Sequence, residues 1–539
     1  MNSSLKKNGI QIILILLLIA QVLVAIYFGG KKEGYHIDEI YTCTLANYEG
    51  GFVSRTEGAK NEWKSGEFYK EIFKVTDEER FNYTMVYENQ EIDVHPPMYY
   101  YLIHVLSSVL GEFSKWTGIM INIILSVLTS IVLFCLSKKV FDDDKIALIC
   151  TFVWGLSVGT ITSIVFIRMY MLLTLFSLML MGLHLKSVME VKSVNNISGK
   201  TLIALCICTL FGILTQYYYL IFCFFLCGSF FLYLFFSRNW KALVKYCCAE
   251  IGALAIAVLY FPTMLKHIFS GYRGEQAFNE ITNTEGFQEK LKTIITIINE
   301  QLFNGWAEEI IIALSLVFCV WCWLNFWSEK KLCREKCLKK RTAISDESCF
   351  IGWLLFVCSG YTMSVAKIAP FQTDRYFMCI YPLVVIMLIG IAKIVLQLVL
   401  ESKARSVLII IFLVVTLASY SEQEIGYLFE GIDGRSKALL NYQDCDAIVL
   451  NGAYNSATDH WLYEYGNYKD VFICEADGDM EGLKKAVSTK DLSNGFLLYA
   501  HAMPGTDEEL FEKIGEYINI KSYELVTNIK CRVFFCTLK

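Results

Sequence analysis

The chain reads as a polytopic α-helical membrane protein with a small α/β domain at its C-terminal end. Three observations predict this. Over 539 residues the composition is 55% hydrophobic and only 19% charged, with a mean hydropathy of +0.44; soluble domains carry roughly 45–50% apolar and about 25% charged residues. Apolar runs of near span length recur through about residue 420. Lys and Arg gather in alternate connections between those runs. The same composition excludes a disordered chain, which needs low hydrophobicity and high charge. A net charge of −5 and a pI near 5.9 oppose a nucleic-acid partner, which calls for a basic footprint.

A helical crossing needs about 20 mostly apolar residues. Runs at 9–29, 116–137, 146–165, 169–187, 201–215, 217–237, 247–266, 307–327, 349–367, 377–398 and 406–420 give about 11 transmembrane helices. Residues 146–187 are too long for one crossing and must turn back near Arg168; 201–237 turns at Thr215 and Gln216. The first run, flanked by Lys6 and Lys7, is span-length and lacks a small-residue cleavage pattern before Lys31, so it reads as an uncleaved first helix. The positive-inside rule then places the N-terminus in the cytoplasm. Lys138 and Lys139, Lys186 to Lys200, Arg238 to Lys245, the basic loop 329–341, and Lys403 with Arg405 all fall on that side. The plasma membrane of a bacterium fits best.

Segments 30–95, 267–306 and 422–539 then face outward. The expected division is a membrane domain at 1–421, with its first outer loop at 30–95, and an extracytoplasmic domain at 422–539. In the tail, short apolar runs at Ala447–Leu450, Val471–Cys474 and Phe496–Tyr499 predict strands, and Cys531–Thr537 a last one. Helix-like stretches such as Asp507–Ile518 lie between them, which implies a partly parallel sheet. Most of the 20 cysteines lie in apolar runs and act as small hydrophobes. Cys445, Cys474, Cys531 and Cys536 could pair only if the tail faces an oxidising space.

The acidic first outer loop, with 14 Asp and Glu against 8 Lys and Arg, begins with His36-Ile37-Asp38-Glu39 close to the membrane exit. A carboxylate held there and partly desolvated is expected to have a raised pKa and to suit a general base. The loop ends in Asp93-Val94-His95-Pro96-Pro97, followed by Met98 to Leu110, too short to span and read as an interfacial helix. His95 could donate to a phosphate or move a proton. Arg168, before Met169-Tyr170, and Arg375, before Tyr376, sit at outer helix ends against the positive-inside trend. Their fork of donors suits a lipid phosphate, while snorkelling or an Asp374–Arg375 pair would be the plainer reading. Gln216, Tyr217 and the tyrosines after them form another outer turn, an aromatic belt or a grip on substrate. Cys333 and Cys337 lack a second ligand pair and make a poor zinc site. No phosphate-binding glycine loop of the ATPase kind occurs. The Asn82-Tyr83-Thr84 sequon matters only in a glycosylating host.

Taken in order, HIDEIYT, DVHPPMYYYLIH, RMY, QYYYL and TDRYFMCIYP resemble the GT-C glycosyltransferases, in particular the bacterial relatives of protein O-mannosyltransferases and the aminoarabinose lipid A transferases. The resemblance covers about residues 9–400, and the tail adds nothing to it. It implies an enzyme that moves a sugar, hexosyl in type, from a polyprenyl-phosphate carrier to an extracytoplasmic protein, lipid or cell-envelope glycan. It implies Asp38 as general base and Glu39 as a positioning, donor or metal contact. Arg168, Arg375, His95 and Tyr170 would hold the carrier phosphate. Asp93, Gln216, Tyr217 and Tyr376 would be further substrate contacts. Relatives commonly carry His where Gln216 stands, which puts a proton role there in doubt. No cofactor or metal is firmly implied; a divalent cation would have only Asp38, Glu39 and Asp93 as nominees. Membrane lipids are the other partners. The rival readings are a transporter or lipid flippase for envelope precursors, which predicts ionisable groups near mid-membrane, a polysaccharide polymerase or ligase, and an inactive scaffold.

Overall fold

A computed structural model describes residues 2–51, 59–283, 285–313, 315–316, 319, 346–399, 424–451, 460–475, 480–501 and 503–539. Among them, seven helices are long and apolar enough to cross a membrane: Asn8–Lys31, Lys115–Phe141, Tyr170–Val194, Tyr218–Phe236, Trp240–Tyr260, Asp346–Ile368 and Met378–Gln397. The run at 146–165 is a broken pair, Asp144–Gly155 and Val158–Val165, bent by 53°. The break falls at Ser157, whose side chain caps the second half by accepting from Thr160 N. The run at 201–215 is a shorter helix, Gly199–Ile213. The expected runs at 307–327 and 406–420 lie mostly or wholly outside the described residues. The protein is thus a multi-pass membrane fold, and both expected reversals are present, at 166–169 and at 214–217. Proline and hydrogen-bonding side chains open the short helices at one end of the bundle: Asn82 caps Tyr83–Ile92, and Pro97 precedes Met98–Leu110.

The tail forms a six-stranded sheet, β1 Trp63–Ser65, β2 Asp446–Asn451, β3 Asp470–Glu475, β4 Phe496–His501, β5 Ile520–Thr527 and β6 Arg532–Leu538, in the order β1-β3-β2-β4-β6-β5. The three central strands are parallel, and the outer three pair antiparallel. Two strands escape sequence reasoning. β5 is almost wholly solvent-facing along its length, so it lacks an apolar run. β1 has three residues and comes from the first outer loop, with Trp63 opposite Phe472 and Ser65 opposite Asp470. The backbone comes so close at Gly66 that an added Cβ would lie 2.0 Å from the Tyr468 carbonyl oxygen.

Side chains alternate across the sheet. Ala447, Val449, Val471, Ile473, Leu497 and Val533 join the core shared with the membrane helices. Ile448, Leu450, Phe472, Leu498 and Phe534 form a second core under helices Glu481–Thr489 and Asp507–Gly515. The first outer loop and the tail are therefore one packed body around the sheet. None of Cys445, Cys474, Cys531 and Cys536 is in a disulfide; three of the four are buried.

Arg435 anchors this body. It is fully buried, forks onto Glu464 at 2.8 and 2.9 Å, and donates to the Ile529 and Cys531 carbonyls at 3.0 and 2.8 Å. Trp461 stacks beneath it at 3.9 Å. Breaking a buried pair from one side strands the other charge, a cost of about 3–5 kcal/mol. Arg435→Ala is expected to lose stability of that order, read as a lower thermal midpoint and earlier proteolysis within the tail.

Candidate functional site

His36-Ile37-Asp38-Glu39 is the start of helix Ile37–Asn47. The His36 ring accepts from Asp38 N at 3.1 Å, and the Glu39 carboxylate accepts from His36 N at 2.6 Å. This is a capping box with His in place of Ser or Thr. Reciprocal capping sends the two acids to opposite sides. Glu39 is fully buried and accepts from Lys32 Nζ at 2.9 Å and from Ile167 N at 2.8 Å. Burial pushes its carboxyl up, and the donors around it oppose that. Of the alternatives the resemblance implied for Glu39, positioning, donor contact or metal contact, this geometry fits the first. Glu39 is a positioning residue that ties the first span, this helix and the 166–168 turn together.

Asp38 points the other way, into a pair of guanidiniums. Its carboxylate is ion-paired with Arg375 Nη1 and lies 3.7 Å from His36 Nδ1. Arg168 is 3% exposed and donates through Nη1 to the Asp38 carbonyl at 3.1 Å, to Thr42 Oγ1 at 3.0 Å and to the Tyr100 hydroxyl at 3.1 Å. Arg168 Nη2 donates to His95 Nε2 at 3.1 Å, so His95 Nδ1 must donate to Asp93, 2.7 Å away. The Asp93–His95–Arg168 chain fixes the imidazole tautomer and the guanidinium plane. The Nε–H groups of Arg168 and Arg375 are both buried with no acceptor.

The expectation of a raised Asp38 pKa is overturned. Burial does work against the carboxylate, but Arg168 and Arg375 outweigh it and hold the group at about 2. Place in a helical first turn acts in the same direction. His36 is pushed to about 4, first by burial and then by the Arg375 and Arg168 charges, so it is a neutral imidazole at neutral pH.

The site is not confined to the residues nominated above. Tyr427, from the tail, stacks on Phe166 at 3.8 Å and meets the His36 ring edge-on at 5.6 Å. Its hydroxyl donates to Asp374 at 3.3 Å, and its carbonyl accepts from Lys32 Nζ at 2.6 Å. His460, also from the tail, lies 6.1 Å from the His36 ring. Tyr427 and His460 carried no sequence signal, while Thr42, Tyr100 and Asp374 lie inside the motifs quoted above without a role at this site, because each role is defined by neighbours across the fold.

Tyr170 is buried beside Phe166, and the Tyr376 hydroxyl accepts from Arg375 Nη2 at 3.4 Å. Gln216 and Tyr217 are not brought to Asp38. Gln216 accepts from Tyr217 N at 2.6 Å, closing its own turn. The Tyr217 hydroxyl donates to His267 Nδ1 at 2.9 Å, and His267 Nε2 lies 3.4 Å from the Glu91 carbonyl. The three carboxylates nominated for a cation do not converge: Asp38 faces Arg375, Glu39 faces Lys32 and Asp93 faces His95.

Next to His460 opens a cavity of about 880 Å³ between the tail and the first outer loop. Lys32, Lys70, Lys74, Lys115 and Lys530 line it against Glu33, Glu112 and Glu464, with Trp116, Trp461 and Tyr463.

The fold and this arginine-flanked end define a class, polytopic membrane proteins with a buried cluster of charge at one end of the helix bundle. No protein-family model and no curated protein matches the chain. Among solved structures it is similar to ArnT from Cupriavidus metallidurans bound to undecaprenyl phosphate, with a TM-score of 0.51, 11% identity and 97% of each chain covered. Apo ArnT from the same organism gives a TM-score of 0.49 at 12% identity, again with 97% of each chain covered. The likeness to the first structure is one of fold, and it agrees with the fold that the sequence resemblance implies.

The pKa shifts predict acid sensitivity in two steps. His36 binds a proton more readily unfolded, so its share of stability is lost as pH falls from 6.5 toward 4. Asp38 is depressed when folded, so its share is complete above 3.8 and is lost as pH falls toward 2. Thermal midpoints across pH should lose the first step in His36→Gln and the second in Asp38→Asn.

Proposed function

We propose that the chain is a membrane glycosyltransferase that takes a sugar from a polyprenyl-phosphate carrier and gives it to an extracytoplasmic acceptor. The observation that carries this is the pair Arg168 and Arg375 around Asp38, each with a buried Nε–H lacking an acceptor. Buried donors without partners are costly, and a phosphate offers the oxygens they lack. The bulk of a polyprenyl carrier would run along the membrane helices. ArnT, which shares the fold, is bound to undecaprenyl phosphate. The run of Lys and Arg on the opposite side supports an extracytoplasmic site and a cytoplasmic N-terminus.

The chemistry follows from competition for the guanidiniums. With no anion bound, Arg375 holds Asp38 as a weak base. A carrier phosphate drawn to Arg375 and Arg168 takes over their charge, and the Asp38 carboxylate becomes more basic. An acceptor hydroxyl then attacks the anomeric carbon. The bond from that carbon to the phosphate oxygen breaks, and polyprenyl phosphate leaves with the electron pair, its charge met by the two arginines. The hydroxyl proton passes to Asp38. Attack opposite the leaving phosphate inverts the anomeric centre. Asp93 and His95 keep Arg168 in plane. The lysine- and aromatic-lined cavity that meets the site at His460 suits an acceptor bearing negative charge and sugar rings. A hexose is the proposed donor sugar.

The test is transfer from a labelled polyprenyl-phosphate hexose to cell-envelope acceptors by the full chain in lipid. Asp38→Asn is expected to cost about 10²–10⁴-fold in rate, the usual range for a lost general base, with expression retained and the thermal midpoint lowered only by the share of stability that Asp38 contributes. Arg375→Ala should raise the donor KM and lower kcat together. Transfer intact in both variants would refute the site.

A further inference from the structure

The span pattern leaves one group of residues unused. His184 lies within helix Tyr170–Val194, Cys227 near the middle of Tyr218–Phe236 and Glu250 near the middle of Trp240–Tyr260. Their ligand atoms all lie within 4.8 Å of one another. Each helix crosses the membrane, so the group sits at hydrocarbon depth, well away from the arginine-flanked end. The transporter reading predicted ionisable groups at that depth, and here there are three.

We propose that this cluster is a structural metal site for a divalent ion of the zinc class. The supporting shell is already built. His184 Nδ1 donates to the Leu180 carbonyl at 2.9 Å, which fixes the tautomer and turns the Nε2 lone pair toward the cluster. A backbone carbonyl on the second nitrogen is the usual way a ligating His is oriented. Thr209 Oγ1 donates to Glu250 Oε2 at 2.8 Å, while Glu250 Oε1 is buried with no partner. Among the described residues no Lys or Arg forms an ion pair with Glu250, although membrane carboxylates normally pair or serve a function.

The donor set selects the ion. Imidazole nitrogen, thiolate sulfur and a single carboxylate suit zinc and exclude magnesium or calcium, which need oxygen cages. A divalent ion with one thiolate and one carboxylate is neutral, which removes the penalty of an uncompensated acid in hydrocarbon. Binding releases the Cys227 thiol proton to solvent. The Tyr246 hydroxyl, which donates to His184 Nε2 at 2.8 Å, must leave that nitrogen. Closing the ligands to tetrahedral distances asks for movements on the order of 1 Å. The ion would tie three helices, Tyr170–Val194, Tyr218–Phe236 and Trp240–Tyr260.

Metal content and cobalt(II) substitution of the full chain in detergent test this. The wild type should bind one ion per chain and show a thiolate-to-cobalt charge-transfer band. Cys227→Ser should abolish the band, and Thr209→Val, which removes only the supporting hydroxyl, should weaken binding about 10–100-fold. Cys150→Ser and the double variant Cys333→Ser, Cys337→Ser should keep the band. If Cys227→Ser fails to fold, the wild-type spectrum and the Thr209→Val and Glu250→Gln titrations decide. A wild type with no thiolate band at saturating cobalt would overturn the proposal. So would a band that survives Cys227→Ser or disappears in the Cys333, Cys337 variant.

Discussion

The Glu39 carboxylate is the joint on which the site depends. It accepts from the Lys32 ammonium, the His36 amide and the Ile167 amide in full burial. Those donors come from the end of the first span, the start of the next helix and the turn that carries Arg168. Holding them together sets the distance between Asp38, one residue earlier, and Arg168, one residue later than Ile167. A charge taken out of water costs several kcal/mol unless its partners are well placed. The pair of Lys32 and Glu39 meets that condition because the main chain supplies two further donors.

The same logic runs through the arginine-flanked end. Arg168 is nearly removed from solvent, Arg375 and the two carboxylates are partly so, and each Arg is held by groups that leave part of its fork unused. An arrangement of this kind is attractive to an anion. Asp38 illustrates the balance. Burial alone would make it a strong base, yet the arginines keep it ionised and weakly basic until they are otherwise engaged.

The tail is part of this arrangement. Tyr427 stacks on Phe166, the Glu33 amide donates to the Leu428 carbonyl at 2.8 Å, and a strand from the first outer loop closes one edge of the tail sheet. The sheet buries one face with the membrane helices and the other under its own helices, which leaves His460 beside both the cavity and the His36 ring.

Hydrophobic length and periodicity are local properties. For that reason the membrane helices, the reversals near Arg168 and Gln216, and strands β2, β3, β4 and β6 could be read along the chain. Asp38, Arg168, Arg375 and His95 were legible too, as charged or polar groups placed against the membrane trend. Their pairing was not. Whether a carboxylate is strengthened or weakened as a base depends on charges 130 or more positions away in the chain, as does the turning of Glu39 away from the site. Tyr427, His460 and the His184–Cys227–Glu250 group have ordinary surroundings in sequence. The amino-acid order determined a membrane bundle with a basic side and a charged far end. Only the tertiary structure decided which charges meet, because electrostatic coupling and desolvation depend on distance in space and not on separation along the chain.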